Sequence, residues 1–347
     1  MDQTAIPFPY EFKELEPDEK SQVQDKHLNQ LCRVGPKGYV VFKPYKKDAA
    51  NIYNMPLRSS DVIVASYQRS GTTMTQELVW LVANDLDYAR AAAEPLVKRY
   101  PFIDGFMFFD ESTIDQHIEN VTKDNPDADI QKIKDLLTML SKPPSSMLAT
   151  APSPRFIKTH LPMSLLPPKC LNTAKVVYIA RDPRDVAVSS YHHTLLFEMI
   201  EYPGGFKKFW NLFYRSLFTL TPYFEHVKEA WDLRSNPNML FLFYEDVTKD
   251  MPATIHRVAD FLGKQINEEQ VAGLCEHLSI NKFKNNKSVN MEELREIGMI
   301  APNETFIRKG KTGGWRAYFD EEMTQQAEQW IADNLRDTDL RFPHMEN

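Results

Sequence analysis

Three runs in this chain, VIVAS at 62–66, VVYIA at 176–180 and LFLFY at 240–244, are apolar almost without interruption. A strand with one wet face alternates apolar and polar residues. A strand without alternation is covered on both faces, which is the situation inside a parallel sheet with helices on either side. With the shorter runs at 39–42 and 155–158, the pattern predicts strands over 39–42, 61–67, 155–158, 175–180 and 239–244. Helical periodicity follows several of them, over 72–84, 184–197, 206–231, 253–262, 268–277 and 321–335. Strand–helix alternation of this kind predicts the α/β class, with one central parallel sheet flanked by helices. At 347 residues the chain buries about 75% of its unfolded surface in such a domain, without disulfide staples.

The boundaries read as an N-terminal extension over 1–37 and one domain over 38–343. Residues 141–154 carry Pro143, Pro144, Pro152 and Pro154 and are expected as a loop. Residues 281–314 are polar, with Gly298, Gly310, Gly313 and Gly314, and read as a lid or binding loop.

Composition limits the partners. Forty-one Lys and Arg against 48 acidic residues give a net charge of −7, which argues against a nucleic-acid or anionic-membrane binder but leaves room for a small basic pocket. Cys32, Cys170 and Cys275 form no CxxC pair, so neither a zinc site nor a disulfide framework is expected, and no metal is predicted. The first twenty residues are polar and acidic, unlike a signal peptide, and no stretch reaches the ~18 apolar residues of a membrane span. The sequence reads as that of a cytoplasmic protein.

The segment DVIVASYQRSGTTMTQ (61–76) carries the most chemistry. A buried strand runs into a turn at Gly71, where a helix begins, so amides and the helix N-terminus face whatever lies above the turn. Arg69 adds a forked cation and Thr72 and Thr73 add hydroxyls. The segment lacks the first Gly and the Lys of the Walker pattern. An ordinary strand-to-helix turn with a Ser or Thr cap has the same local form. A second junction, ARDPRD at 180–185, places Arg181 at a strand end, although it could equally pair with Asp182 or Asp185. A third basic feature, FIRKG at 306–310, lies in the long polar segment. Three separate cationic features in an acidic protein favour one anionic ligand.

Over residues 38–343 the chain resembles the cytosolic sulfotransferases, and within them the insect retinol dehydratases. The likeness is carried in order by YQRSGTTMTQELVW, RFIKTHLP, VVYIARDPRDVAVSSYHH, MLFLFYEDV and FIRKGKTGGW. It implies a P-loop nucleotide-kinase-like fold and 3′-phosphoadenosine 5′-phosphosulfate (PAPS) as sulfonate donor, released as 3′-phosphoadenosine 5′-phosphate (PAP). By position, Arg69, Ser70, Gly71, Thr72 and Thr73 would hold the 5′-phosphosulfate. Arg181, Ser189, Arg308, Lys309 and Gly310 would hold the 3′-phosphate, and Tyr244, Met74 and Ile280 would surround the adenine, with Phe283 as a further ring. Arg69 stands where most members have Lys, Gln68 where they have Pro, Met74 where they have a stacking Trp, and Ile280 where they have Phe.

The resemblance also assigns the chemistry to KTH at 158–160. An alcohol is a poor nucleophile, so His160 would take its proton, Lys158 would stabilise charge on the transferred group, and Arg69 would assist. Apart from the resemblance, a lone His after a strand is more often structural. The run YPFIDGFMFF (100–109) offers Tyr100, Phe102, Phe106 and Phe109, with His160, as walls for the acceptor, and core packing is the alternative. The resemblance implies a lipophilic hydroxyl substrate, retinol, a phenol or a steroid. Retinol would be sulfonated and then lose sulfate to give anhydroretinol; an enzyme releasing stable sulfate esters and a non-catalytic retinoid or lipid binder are the alternatives. The family's small homodimer contact is not matched at Arg316, Asp320, Glu321 and Gln325.

Overall fold

The computed structural model describes residues 6–23, 30–197, 202, 204–301 and 304–343. Near the N-terminus, β1 (Lys13–Glu14), β2 (Leu31–Val34) and β3 (Tyr39–Phe42) pair antiparallel in the order β1-β2-β3. The central sheet follows: β4 (Val62–Ala65), β5 (Phe156–Thr159), β6 (Lys175–Ala180) and β7 (Met239–Phe243), all parallel, in the order β5-β4-β6-β7.

Both faces of this sheet are buried, which is why its strands do not alternate. Ile63, Ala65, Val176, Tyr178, Ala180, Met239 and Phe241 point into one core cluster. Val62, Val64, Val177, Ile179 and Leu242 point into the other, against Leu78, Val79, Trp80 and Val258. The period of two is intact, but each half meets helices instead of water. The starts of β4 and β5 are joined by a buried ion pair. Arg155 donates from Nε to Asp61 at 2.9 Å and from Nη2 to its other oxygen, and also to the carbonyls of Leu148 (2.7 Å) and Pro56 (2.8 Å).

Several expectations need correction. The single helix read over 206–231 is two, Phe206–Tyr214 and Tyr223–Asp232. Ser216 and Leu220 between them have positive φ, and Pro222 cannot continue a helix from upstream. The loop read over 141–154 contains the helix Ser145–Thr150, which begins after Pro144 and buries Leu148. The lid segment 281–314 holds the short elements Lys287–Val289 and Glu292–Glu296 and is anchored by buried Val289, Ile297, Met299, Ile300 and Phe306; residues 302 and 303 lie outside the described residues. Ile297 and Met299 pack on two further helices, Glu111–Asp124 and Ile130–Leu140.

The boundary at residue 38 falls in the turn between β2 and β3. Residues 1–5 and 24–29 of the proposed extension lie outside the described residues. Its described part contributes Leu15, Val23 and Leu31 to a cluster with Val40, Leu212 and Leu217. Asp320 caps the helix Glu321–Leu335, accepting from the Met323 amide at 2.8 Å.

Candidate active site

β4 ends at Ala65, and the chain turns through Ser66–Gly71 into the helix Thr72–Ala83. The turn requires Gly71: its φ is +103°, and a Cβ there would lie 2.5 Å from the Tyr244 ring. Ser66 and Thr72 exchange a hydroxyl hydrogen bond of 2.7 Å across the turn. The Ser66 carbonyl lies 2.9 Å from Nδ1 of His160, which follows β5. A carbonyl can only accept, so Nδ1 carries the proton and Nε2 keeps its lone pair. Burial, with Lys158 adjacent, pushes the His160 pKa well below the usual histidine value, so the ring is neutral at physiological pH.

Lys158, at the same strand end, holds Nζ 4.1 Å from the centre of the Phe102 ring, and Phe102 also meets His160 edge-on at 5.1 Å. Burial lowers the Lys158 pKa to about 8; the Asp104 carboxylate opposes the shift and Arg69 adds to it.

The three cationic stretches of the sequence lie along one cavity. Arg69 donates from Nε to Ser189 Oγ (3.1 Å) and from Nη2 to the Phe306 carbonyl (3.0 Å), with its guanidinium 5.0 Å from the centre of the Phe306 ring. Arg181 donates to the carbonyls of Arg69 (3.2 Å) and Lys311 (3.0 Å) and stacks over Tyr244 at 4.4 Å. Asp185 is 4.0 Å from Arg181, while Asp182 pairs with Arg184 instead. Burial, with Arg181 and Arg308 close by, pushes the Arg69 pKa down. The lid segment is fastened by Asp185, which accepts from the amides of Gly313 (2.7 Å) and Trp315 (2.9 Å).

Most of these functional side chains line that one cavity, of about 1700 Å³. Arg69, Gly71, Thr72, Thr73, Met74, Arg181, Ser189, Tyr244, Ile280, Phe283, Arg308, Lys309 and Gly310 line it together with Lys158, His160, Phe102, Phe106 and Phe109. Gly310 has a φ of +60°, and a Cβ on it would lie 2.8 Å from Ile280. Ser70 Oγ and Arg181 Nε are among the buried polar atoms that have no hydrogen-bond partner in the described residues. Such orphans fit an anionic ligand with several acceptor oxygens.

Tyr100 does not join the acceptor wall. It ends the helix Leu96–Arg99, its amide donating to the Leu96 carbonyl (2.8 Å), and its ring turns into the opposite core cluster, 5.5 Å from Phe156.

Asp104 and His226 escaped the sequence reading, and His193, on a helix without a motif to assign it chemistry, reads there as structural. Asp104 accepts from the Thr159 hydroxyl (2.8 Å) and the His160 amide (3.1 Å). His226 donates from Nε2 to the His160 carbonyl (2.8 Å) and accepts from the Tyr178 hydroxyl at Nδ1 (2.8 Å). His193 lines the cavity one helical turn beyond Ser189. A lone acid inside the aromatic run 100–109 was a usable signal for Asp104; no local signal marks His226. No group of three or more His, Cys, Asp or Glu among the described residues is arranged to hold a metal ion.

Known proteins resemble this chain in sequence and fold. A structure of retinol dehydratase with retinol and PAP is 58% identical, covers 97% of this chain and all of that one, and superposes with a TM-score of 0.93. A second, with androsterone and PAP, is 57% identical, covers 98% of this chain and all of that one, and has the same TM-score. Luciferin sulfotransferase of Photinus pyralis is 33% identical over 318 residues, covering 90% of this chain and 81% of that protein. The sulfotransferase domain model matches residues 59–339, four-fifths of the chain, which therefore belongs to the sulfotransferase family.

Proposed function

We propose that the protein transfers a sulfonate group from PAPS to the hydroxyl of a long lipophilic alcohol, and that with retinol it completes a dehydration to anhydroretinol. One observation carries this reading: a neutral imidazole with its Nε2 unprotonated, the Lys158 ammonium and cationic residues from three stretches of the chain face a single, largely apolar cavity. The likeness to retinol dehydratase, at 57–58% identity over nearly the whole chain, supports the acceptor class.

PAPS, when bound, supplies an activated sulfonate and departs as PAP. The residues 69–73 suit its 5′ end, with the orphaned Ser70 hydroxyl as a donor. Arg181, Ser189 and the stretch 308–310 suit its 3′-phosphate, with Arg181 Nε still free to donate. Met74, Tyr244 and Ile280 line the cavity in reach of a base; without an indole among them, the planar Tyr244 ring and the Phe283 ring are left for stacking.

His160 takes the hydroxyl proton on Nε2 as the acceptor oxygen bonds to sulfur, and its Nδ1–H stays on Ser66. Lys158, held beside Phe102, faces the charge that develops on the transferred group. Phe102, Phe106 and Phe109 keep water from the apolar part of the acceptor. With retinol, the sulfate ester loses its C–O bond and a ring proton, giving sulfate and a longer polyene. No described helix is long and apolar enough to cross a membrane.

Radiolabelled PAPS offered with retinol and, separately, with a simple phenol tests the reading. The expected products with retinol are free sulfate and anhydroretinol, both absent in His160→Ala. A stable phenyl sulfate without anhydroretinol identifies an ester-releasing sulfotransferase, a reading favoured by the androsterone bound in one relative. No labelled product from any acceptor removes the proposal.

A further inference from the structure

The segment Pro101–Asp104 lies alongside the end of β5 as if it were one more strand. Lys158 donates its amide to the Pro101 carbonyl (3.0 Å), and Ile103 donates to the Lys158 carbonyl (3.0 Å). This register brings Asp104 directly under the turn that carries Lys158, Thr159 and His160. The Asp104 side chain is fully buried. Its Oδ1 accepts from the Thr159 hydroxyl (2.8 Å) and the His160 amide (3.1 Å), and its Oδ2 lies 3.2 Å from the same amide. Thr159 passes the restraint on, its hydroxyl accepting from the Leu161 amide at 3.0 Å.

The same segment holds the working side chains. Phe102 lies under Lys158 Nζ and edge-on to His160, and it can lie there because residue 105 is glycine: a Cβ would come within 2.5 Å of its ring. A carboxylate is costly to bury for structural reasons alone, since an amide or hydroxyl could accept the same bonds. Two groups set the charge felt by Lys158: Arg69 from the phosphate loop, which disfavours its ammonium, and the Asp104 carboxylate, which favours it. His160 from its own turn and His193 from the helix Pro183–Leu196 also face it, but burial keeps both rings neutral. Tyr45 is the other titratable group close to Asp104, and its hydroxyl is neutral.

We propose that Asp104 is a positioning residue of the transfer reaction, which pins the Lys158–Thr159–His160 turn and supplies the negative charge that balances the Lys158 ammonium. The two tasks separate by substitution. Asparagine keeps an oxygen for the Thr159 hydroxyl and the His160 amide and removes the charge. Alanine removes both. The proposal rests on the sulfotransferase reading, so one arm of its test needs no substrate.

In that arm, the rate at which Lys158 is acetylated by acetic anhydride is followed against pH by peptide mass spectrometry. The midpoint should lie near pH 8 in the wild type and about one pH unit lower in Asp104→Asn, because the neutral amine is no longer opposed by the carboxylate. In the second arm, kcat with PAPS and retinol at pH 6.5, where Asp104 is largely protonated because burial raises its pKa to about 7, should stay within about threefold of wild type in Asp104→Asn and fall about 100-fold in Asp104→Ala. An unshifted acetylation midpoint in a folded Asp104→Asn protein overturns the charge role, and wild-type kcat in Asp104→Ala overturns the positioning role. If Asp104→Ala does not fold, Asp104→Asn is compared with Thr159→Val, which must lose kcat if the turn needs its tie. Absence of turnover in the wild type defeats the sulfotransferase reading alone, and the acetylation arm still decides the role of Asp104.

Discussion

The Ser66 carbonyl, 2.9 Å from Nδ1 of His160, settles which nitrogen of that ring is available to a substrate. Because burial keeps the ring neutral far below the ordinary histidine range, His160 needs no deprotonation step before it acts as a base. Lys158 is opposite in sign: it is useful while protonated, and it loses its proton as pH rises through about 8. The kcat/KM profile is therefore expected to be flat from about pH 6.5 to 7.5 and to fall on the alkaline side, without an acid limb near 6.5. Steady-state rates of sulfonate transfer across that range check it. An acid limb centred at 6.5 that persisted in Asp104→Asn would remove His160 as the neutral base. His160→Ala should lower kcat by about 10²–10⁴-fold while PAP affinity, measured by calorimetry, changes little.

At the scale of elements, Asp185 joins the first turn of the helix Pro183–Leu196 to residues 313–315, at the end of the long polar segment, by accepting two backbone-amide hydrogen bonds. Asp185→Ala leaves both amides without that partner and should weaken the lid by about 1–3 kcal/mol. Limited proteolysis should then cut within 304–314 faster than in the wild type, with a matching loss of PAP affinity. Equal cleavage rates would show that Arg69 and Arg181 hold the segment unaided. Strands covered on both faces, and helices with a strong stripe such as Glu321–Leu335, were legible because their signals are local. The break between Tyr214 and Tyr223 was not, since the apolar stripe continues in sequence while positive φ at Ser216 and Leu220 redirects the chain. The polar stretch 281–314 concealed its anchors because single apolar residues such as Ile297 and Met299 have no periodicity until two other helices cover them. In the site, Arg181 and Ser189 were readable from motif positions. Asp104 and His226 act through bonds to the backbone of His160, 56 and 66 residues away in sequence, a relation that no spacing pattern carries.

For the whole molecule, the Asp61–Arg155 pair holds the starts of two adjacent central strands, and both side chains are sealed from solvent. Removing one partner leaves a buried charge unpaired. Asp61→Ala is expected to cost about 3–5 kcal/mol, read from denaturant unfolding; a loss under ~1 kcal/mol would mean that the Leu148 and Pro56 carbonyls satisfy Arg155 unaided. The cavity also has a property that belongs to no single element. Phe306 gives its carbonyl and its ring face to Arg69, at the donor end, and its ring lies 6.2 Å from that of His193, farther along the same chamber. One side chain thus closes the nucleotide in and walls the space beside it. Any displacement of Phe306 that freed Arg69 would therefore also part the wall beside His193. If the two ends of the cavity open together, the time for which Phe306 stays in place would set how long a labile ester has to collapse before it meets bulk water.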